Sequence, residues 1–231
     1  FLKELIKFPS VTGEGEKEAQ DYVKEAFSQF GRVELVPVPA DIEKDPEYTF
    51  AEKPLDYSDR KNIILKIPSS GGGRSLILNS HIDVVPAKVW KDAFKPVEKD
   101  GFIYGRGACD AKGQIATIYL TLLALKSCGI RLKGELTVQS VIEEEVGGNG
   151  ALALIREGYK ADAVLVLEPT GLKISPANRG AVWYRLEVQG KSVHMGRITE
   201  GVNAIEKTCL LMHRLKEYER RLIEESKNVP L

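Results

Sequence analysis

Leu76-Ile77-Leu78-Asn79-Ser80-His81-Ile82-Asp83-Val84-Val85-Pro86 is an apolar run that carries a histidine and a carboxylate two positions apart near its end. From Leu76 to Val85 it reads as a buried strand. Residues i and i+2 of a strand share a face, so the imidazole and the carboxylate can touch. A metal-ligating histidine is usually held in this way, with one ring nitrogen on the metal and the other N–H given to an acceptor. Alone, a His-x-Asp is more often a solvated strand end. Three acidic clusters further along change that weighting.

Strand-like runs also occur at Val33 to Val38, Asn62 to Ile67, Glu135 to Ile142 and Ala163 to Leu167, and helical spacing at Gly15 to Gln29, Gln114 to Lys126 and Gly150 to Glu157. Strands alternating with helices, and strands this continuously apolar, predict an α/β fold: a mainly parallel mixed sheet with helices on both faces. Ala40 to Arg60, rich in charge and proline, reads as a surface excursion. The texture changes after Pro169. Gly180 to Val188 has a strand pattern, Ser192 to Gly201 is a polar loop, and Val202 to Ser226 is a long charged helix. Two domains are expected, residues 1–172 and the opening part, 173–231, of a smaller α+β domain.

Lys+Arg and Asp+Glu both total 33 in 231 residues, so the formal net charge is zero. No basic stripe argues for nucleic acid, and no polybasic or amphipathic run argues for a membrane. The apolar stretches fall short of the roughly 18 residues that span a bilayer, no signal peptide is visible, and the cytoplasm is the expected location. Cys109, Cys128 and Cys209 are odd in number and widely spaced, which fits reduced thiols. The chain begins inside a helical pattern at Phe1-Leu2-Lys3 and stops at Val229-Pro230-Leu231 after a long helix, so a fragment is expected. Gly71-Gly72-Gly73 lies between strands and reads as a turn. Gly105-Arg106-Gly107-Ala108-Cys109-Asp110 has aspartate where a dinucleotide fingerprint has its third glycine, and no strand directly before it.

Asp110 precedes a helix, where it could be an N-cap or, in its glycine-rich turn, a carboxylate bridging two cations. Glu143-Glu144-Glu145 follows an apolar strand; an acidic triplet is usually a solvated face, but strand carboxyl ends are where α/β sheets bind ligands. Glu168 repeats that placement. His81, Asp110, Glu145 and Glu168 are together expected at or just beyond the strand carboxyl ends of one sheet. Imidazole with hard oxygen donors suits zinc, manganese or cobalt, and a carboxylate-rich set suits two metals.

These stretches, with Val166 to Thr170, Gly190-Lys191-Ser192-Val193-His194 and Gly201-Val202-Asn203-Ala204-Ile205, resemble the co-catalytic zinc deacylases and exopeptidases that include acetylornithine deacetylase, succinyl-diaminopimelate desuccinylase, aminoacylase and the glutamate-releasing carboxypeptidase. The resemblance is greatest to the acetylornithine deacetylase-like deacylases. It implies a zinc exopeptidase-like fold with a dimerisation (lid) domain, and a homodimer holding two Zn2+, with Co2+ or Mn2+ as alternatives. It makes His81, Asp110, Glu145 and Glu168 metal ligands, Asp110 the bridge, Asp83 the residue orienting His81, Glu144 the general base, and His194 the donor to the oxyanion across the dimer. A cis peptide between Asp110 and Ala111 is implied too. The expected reaction is hydrolysis of an N-acyl amino acid, the alternatives being a carboxypeptidase or dipeptidase and an inactive dimerising homologue. The family pattern also needs one more histidine for the second metal. His213, within the long helix, does not match it, and the missing ligand is expected beyond Leu231.

Overall fold

In the computed structural model, residues 1–177, 180 and 184–227 are described. In chain order the elements are α1 (Leu2–Ile6), α2 (Glu16–Phe27), β1 (Arg32–Pro37), β2 (Lys61–Ile67), β3 (Leu76–His81), β4 (Val97–Lys99), β5 (Phe102–Tyr104), α3 (Lys112–Ser127), β6 (Leu136–Val141), α4 (Asn149–Arg156), β7 (Ala163–Val166) and α5 (Ala204–Ser226). The chain divides into two units, Phe1–Ile174 and Ser175–Leu231.

The first unit is built on a mixed sheet of order β1-β2-β6-β3-β7. β3 pairs in parallel with both β6 and β7, whereas β1–β2 and β2–β6 are antiparallel. The parallel share is therefore half of the pairings. The crossover from β3 to β6 and that from β6 to β7 run in opposite directions across the sheet. Right-handed connections then place α3 and α4 on opposite faces. The packing agrees: Ile63, Leu65, Leu78 and Val138 pack with Val23 and Phe27 of α2 and Ile115, Ile118 and Leu122 of α3, while Ile64 and Val141 pack with Leu154 of α4.

Several expectations are corrected. The apolar run stops being a strand at His81; beyond it Val84 makes only an isolated bridge to Val11. β4 and β5, unforeseen, form a hairpin at Asp100-Gly101, both with positive φ (54° and 79°), which is the backbone that an Asp-Gly pair supplies. The Ala40–Arg60 excursion is not confined to the surface, since Ile42 and Arg60 are buried and Tyr48 and Tyr57 pack against the core. The Gly180 to Val188 strand is absent at residues 184–188, and the rest of that stretch, apart from Gly180, lies outside the described residues, as does Val229-Pro230-Leu231. Among the described residues no helix is long and apolar enough to cross a membrane, and Cys109, Cys128 and Cys209 are unpaired.

In the second unit, Lys191 and Val202 exchange both backbone hydrogen bonds, at 2.9 and 3.0 Å, closing the loop that contains His194. Asn203 Oδ1 then accepts from the N–H groups of Ile205 and Glu206 and starts α5. His213 is exposed and faces Glu217 at 3.2 Å.

One buried ion pair ties α2 to the excursion. Glu16 accepts from Arg60 Nε and, at 2.9 Å, from Arg60 Nη2, and also from the backbone N–H of Gly13 and Glu143. Removing one partner of such a pair strands the other charge in a dry site. Arg60→Met is expected to destabilise the full-length protein by about 3–5 kcal/mol in urea denaturation, and adding Glu16→Gln should restore part of the loss. A single variant within about 0.5 kcal/mol of wild type would show that the pair is not needed.

Candidate metal centre

Because β3, β6 and β7 are parallel, their carboxyl ends share one edge of the sheet. His81 is the last residue of β3, Glu144 and Glu145 follow β6, and Glu168 follows β7. The chain leaves β3 and β6 toward opposite faces, which opens a crevice between adjacent strand ends. Asp110 arrives differently from expected: no strand of this sheet leads into it. It sits at the entrance to α3, after the β4–β5 hairpin, and the residue in the N-cap position is Ala111. The Asp110–Ala111 peptide is cis.

The four expected ligands and Glu144 converge. Single donor atoms of His81, Glu144 and Glu168 lie within 4.8 Å of one another, and so do those of His81, Asp110 and Glu145. His81 Nε2 is 3.0 Å from Asp110 Oδ1, 3.7 Å from Glu168 Oε1 and 3.8 Å from Glu144 Oε2. The imidazole is buried, whereas the Asp110 and Glu144 side chains remain about half exposed, so the cluster is dry at its floor and open at its rim.

Asp83 sets the floor. His81 Nδ1 faces the Asp83 carbonyl oxygen at 2.9 Å and Asp83 Oδ1 at 3.4 Å, two acceptors that call for a proton on Nδ1. Nε2 is then the nitrogen that faces the carboxylates. The same Asp83 carboxylate accepts from the backbone N–H of Glu144 (3.0 Å) and Glu145 (3.2 Å) and from the Thr12 hydroxyl (2.7 Å). Burial alone would raise Asp83, but these donors and His81 outweigh it and hold the carboxyl below its ordinary range. Ser10 and Thr12 also bond the 82–84 backbone. Thr12 was not signalled by the sequence, since it meets Asp83 only through the fold.

The cluster crowds carboxylates around one imidazole. Burial works against a charged imidazole, yet Asp83, Glu144 and Glu168 push His81 up to about 10. Burial, then repulsion from Glu144, Asp110 and Glu145 working against the pull of His81, lifts Glu168 to about 7. Glu144 and Glu145 are likewise raised, first by burial and then by neighbouring carboxylates. Four carboxylates around one imidazole nitrogen, at ligand-to-ligand spacing, fit a divalent cation. Lys112, two residues from Asp110, donates from its buried Nζ to the Phe8 carbonyl at 2.5 Å, and burial lowers its pKa to about 7.

His194 belongs to the second unit and is exposed, its Nδ1 accepting from Gly196 N–H at 3.2 Å.

The fold and the donor set thus define an α/β protein with a carboxylate-rich cluster, a candidate divalent-cation centre, at the strand ends of its sheet. Comparison with known proteins makes this specific. Residues 77–225 match the model of peptidase family M20/M25/M40, and the chain belongs to that family. It is 35% identical over 180 residues to the N-formyl-4-amino-5-aminomethyl-2-methylpyrimidine deformylase of Bacillus subtilis (71% of this chain, 42% of the relative). It is 36% identical over 170 residues to the acetylornithine deacetylase of Myxococcus xanthus (72% and 44%). The chain therefore spans less than half the length of these curated relatives. Among solved structures, a tripeptidase from Staphylococcus aureus has the same fold with a TM-score of 0.62 at 22% identity, over 92% of this chain and 54% of that one.

Asp83 can be tested without metal. Asp83→Ala leaves the Thr12 hydroxyl and two backbone amides without their acceptor and His81 Nδ1 with only the residue 83 carbonyl, and Asp83→Asn leaves at least one of the amides so. In metal-free buffer, chemical denaturation of the full-length protein is expected to show a loss of about 1–3 kcal/mol for the asparagine variant and a larger one for alanine.

Proposed function

We propose that the full-length protein is a metal-dependent amidohydrolase that removes the acyl group from a small N-acyl amino acid. The observation that carries this reading is the convergence of His81, Asp110, Glu144, Glu145 and Glu168 on one sheet edge, with His81 Nδ1 anchored by Asp83 so that Nε2 faces the carboxylates. Membership of a peptidase family, and similarity to proteins named as a deformylase and a deacetylase, support amide hydrolysis.

His81, Asp110 and Glu168 would hold one Zn2+, Asp110 and Glu145 a second, with Asp110 shared. When bound, such cations supply a polarised carbonyl and a water of lowered proton affinity. Glu144, whose carboxylate stands at the open rim, takes the proton of the attacking water and delivers it to the leaving amine. Asp83 keeps His81 in one tautomer and holds Glu144 and Glu145 by their amides. His194 donates from Nε2 to the developing oxyanion, from a second copy of the chain; its Nδ1 accepts from Gly196 N–H, so the proton sits on Nε2. The exposed apolar side chains of α5, Leu215, Tyr218 and Leu222, support a homodimer. The family's description as peptidases favours a second reading, cleavage of a terminal peptide bond.

A panel of N-formyl, N-acetyl and N-succinyl amino acids and dipeptides, offered to full-length protein with and without chelator, tests both readings. Activity on the acyl amino acids, lost on chelation and restored by Zn2+ or Co2+, is expected; activity confined to dipeptides would favour the second. Glu144→Gln should keep its metal and lose about 10²–10⁴-fold in kcat, whereas Glu145→Ala should lose metal as well. Equal metal content in the two variants would mean that the two roles are wrongly divided.

A further inference from the structure

Glu143 opens the acidic triplet but takes no part in the donor cluster. It is wholly buried, while Glu144 is exposed and Glu145 partly buried. Its backbone is left-handed, with φ 63°, a conformation that glycine adopts far more cheaply than glutamate. Each of its polar atoms is engaged. Its N–H donates to Glu16 Oε1 at 3.2 Å, and its carbonyl accepts from the N–H groups of Gly147 (3.3 Å) and Gly148 (2.7 Å). Its carboxylate accepts from the Tyr57 hydroxyl at 2.5 Å and from Asn149 Nδ2 at 2.7 Å.

These partners are themselves fixed. Arg60, paired with Glu16, lies over the Tyr57 ring at 5.2 Å. Asn149 donates to the Thr49 carbonyl (2.8 Å) and accepts from Thr49 N–H (3.1 Å). Gly147 leaves room for that contact, since a Cβ there would stand 2.7 Å from Thr49 Cβ. The next two N–H groups, of Glu144 and Glu145, are those that Asp83 accepts. Fixing φ at Glu143 and both following amides leaves the Glu144 and Glu145 side chains little choice of direction. A turn that merely had to form would need only glycine, and a space that merely had to be filled would be better served by an apolar side chain than by a buried carboxylate.

We propose that Glu143, clamped by Tyr57 and Asn149, is a positioning residue: it locks the turn that aims Glu144 and Glu145 at the cation site. The inference rests on reading the cluster as a divalent-cation centre.

The test is titration of metal-free full-length protein with Co2+, followed by visible absorption, in parallel with thermal melting. Glu143→Ala is expected to stay folded, bind Co2+ about tenfold or more weakly and show an altered Co2+ spectrum. Glu143→Gln, which can still accept from Asn149 and can donate to the Tyr57 oxygen, should bind within about threefold of wild type. Tyr57→Phe should weaken Co2+ binding by several-fold, and adding it to Glu143→Ala should cost little more. A purely structural role would lower the melting temperature and leave Co2+ affinity and spectrum unchanged in the folded Glu143→Ala and Tyr57→Phe variants, and that result would overturn the proposal. Should Glu143→Ala fail to fold, Tyr57→Phe alone decides. Wild-type protein that takes up no Co2+ overturns the cation reading itself, and this inference with it.

Discussion

The carboxylate of Asp83 is the interaction on which the rest of the centre depends. A single buried anion is shared by the ring of His81, the amides of Glu144 and Glu145 and the hydroxyl of Thr12. It joins the end of β3 to the turn after β6 and to the loop before α2. Burying a charge is costly unless donors surround it, and here the donors are the elements that must be brought together. The desolvation cost of Asp83 and the geometry of the cluster are two sides of the same arrangement.

Around that point the molecule separates two kinds of charge. Below the sheet edge, Glu16, Arg60, Glu143 and Asn149 form a dry layer held by mutual hydrogen bonds. At the rim, Asp110, Glu144, Glu145 and Glu168 crowd around the His81 imidazole. The first layer is tied together by its own hydrogen bonds; the second is the one we propose an external cation completes. A rigid base under an unsatisfied rim is what a site needs if it is to bind a metal without first reorganising.

The residues at strand ends were legible because an apolar run that ends in a polar side chain marks both a strand and its edge, as at His81 and Glu168. Asp110 was legible from its glycine-rich setting, but its placement was not, since it enters through α3. Thr12 and Tyr57 carried no local signal: their partners lie 71 and 86 positions away, and no periodicity encodes that pairing. The directions of β1 and β2 were hidden for a related reason, because an apolar run looks the same in a parallel and an antiparallel ladder. β4 and β5 were too short to show alternation, although Asp100-Gly101 was there to be read.

The strand order carries a consequence for how the chain folds. β2 and β3 are close in sequence, yet β6 lies between them. Neither can complete its hydrogen bonding until residues 136–141 have been synthesised and inserted, and β7 must wait for β3 to be placed. Until then Ile63, Ile64, Leu65, Ile77 and Leu78 sit on strands with open edges, a template for pairing with other chains. Insertion of a central strand from a distant part of the sequence is a slow, non-local step. Rapid synthesis at high temperature should therefore favour aggregates even where the finished protein is stable, because the open edges of β2 and β3 persist until β6 arrives.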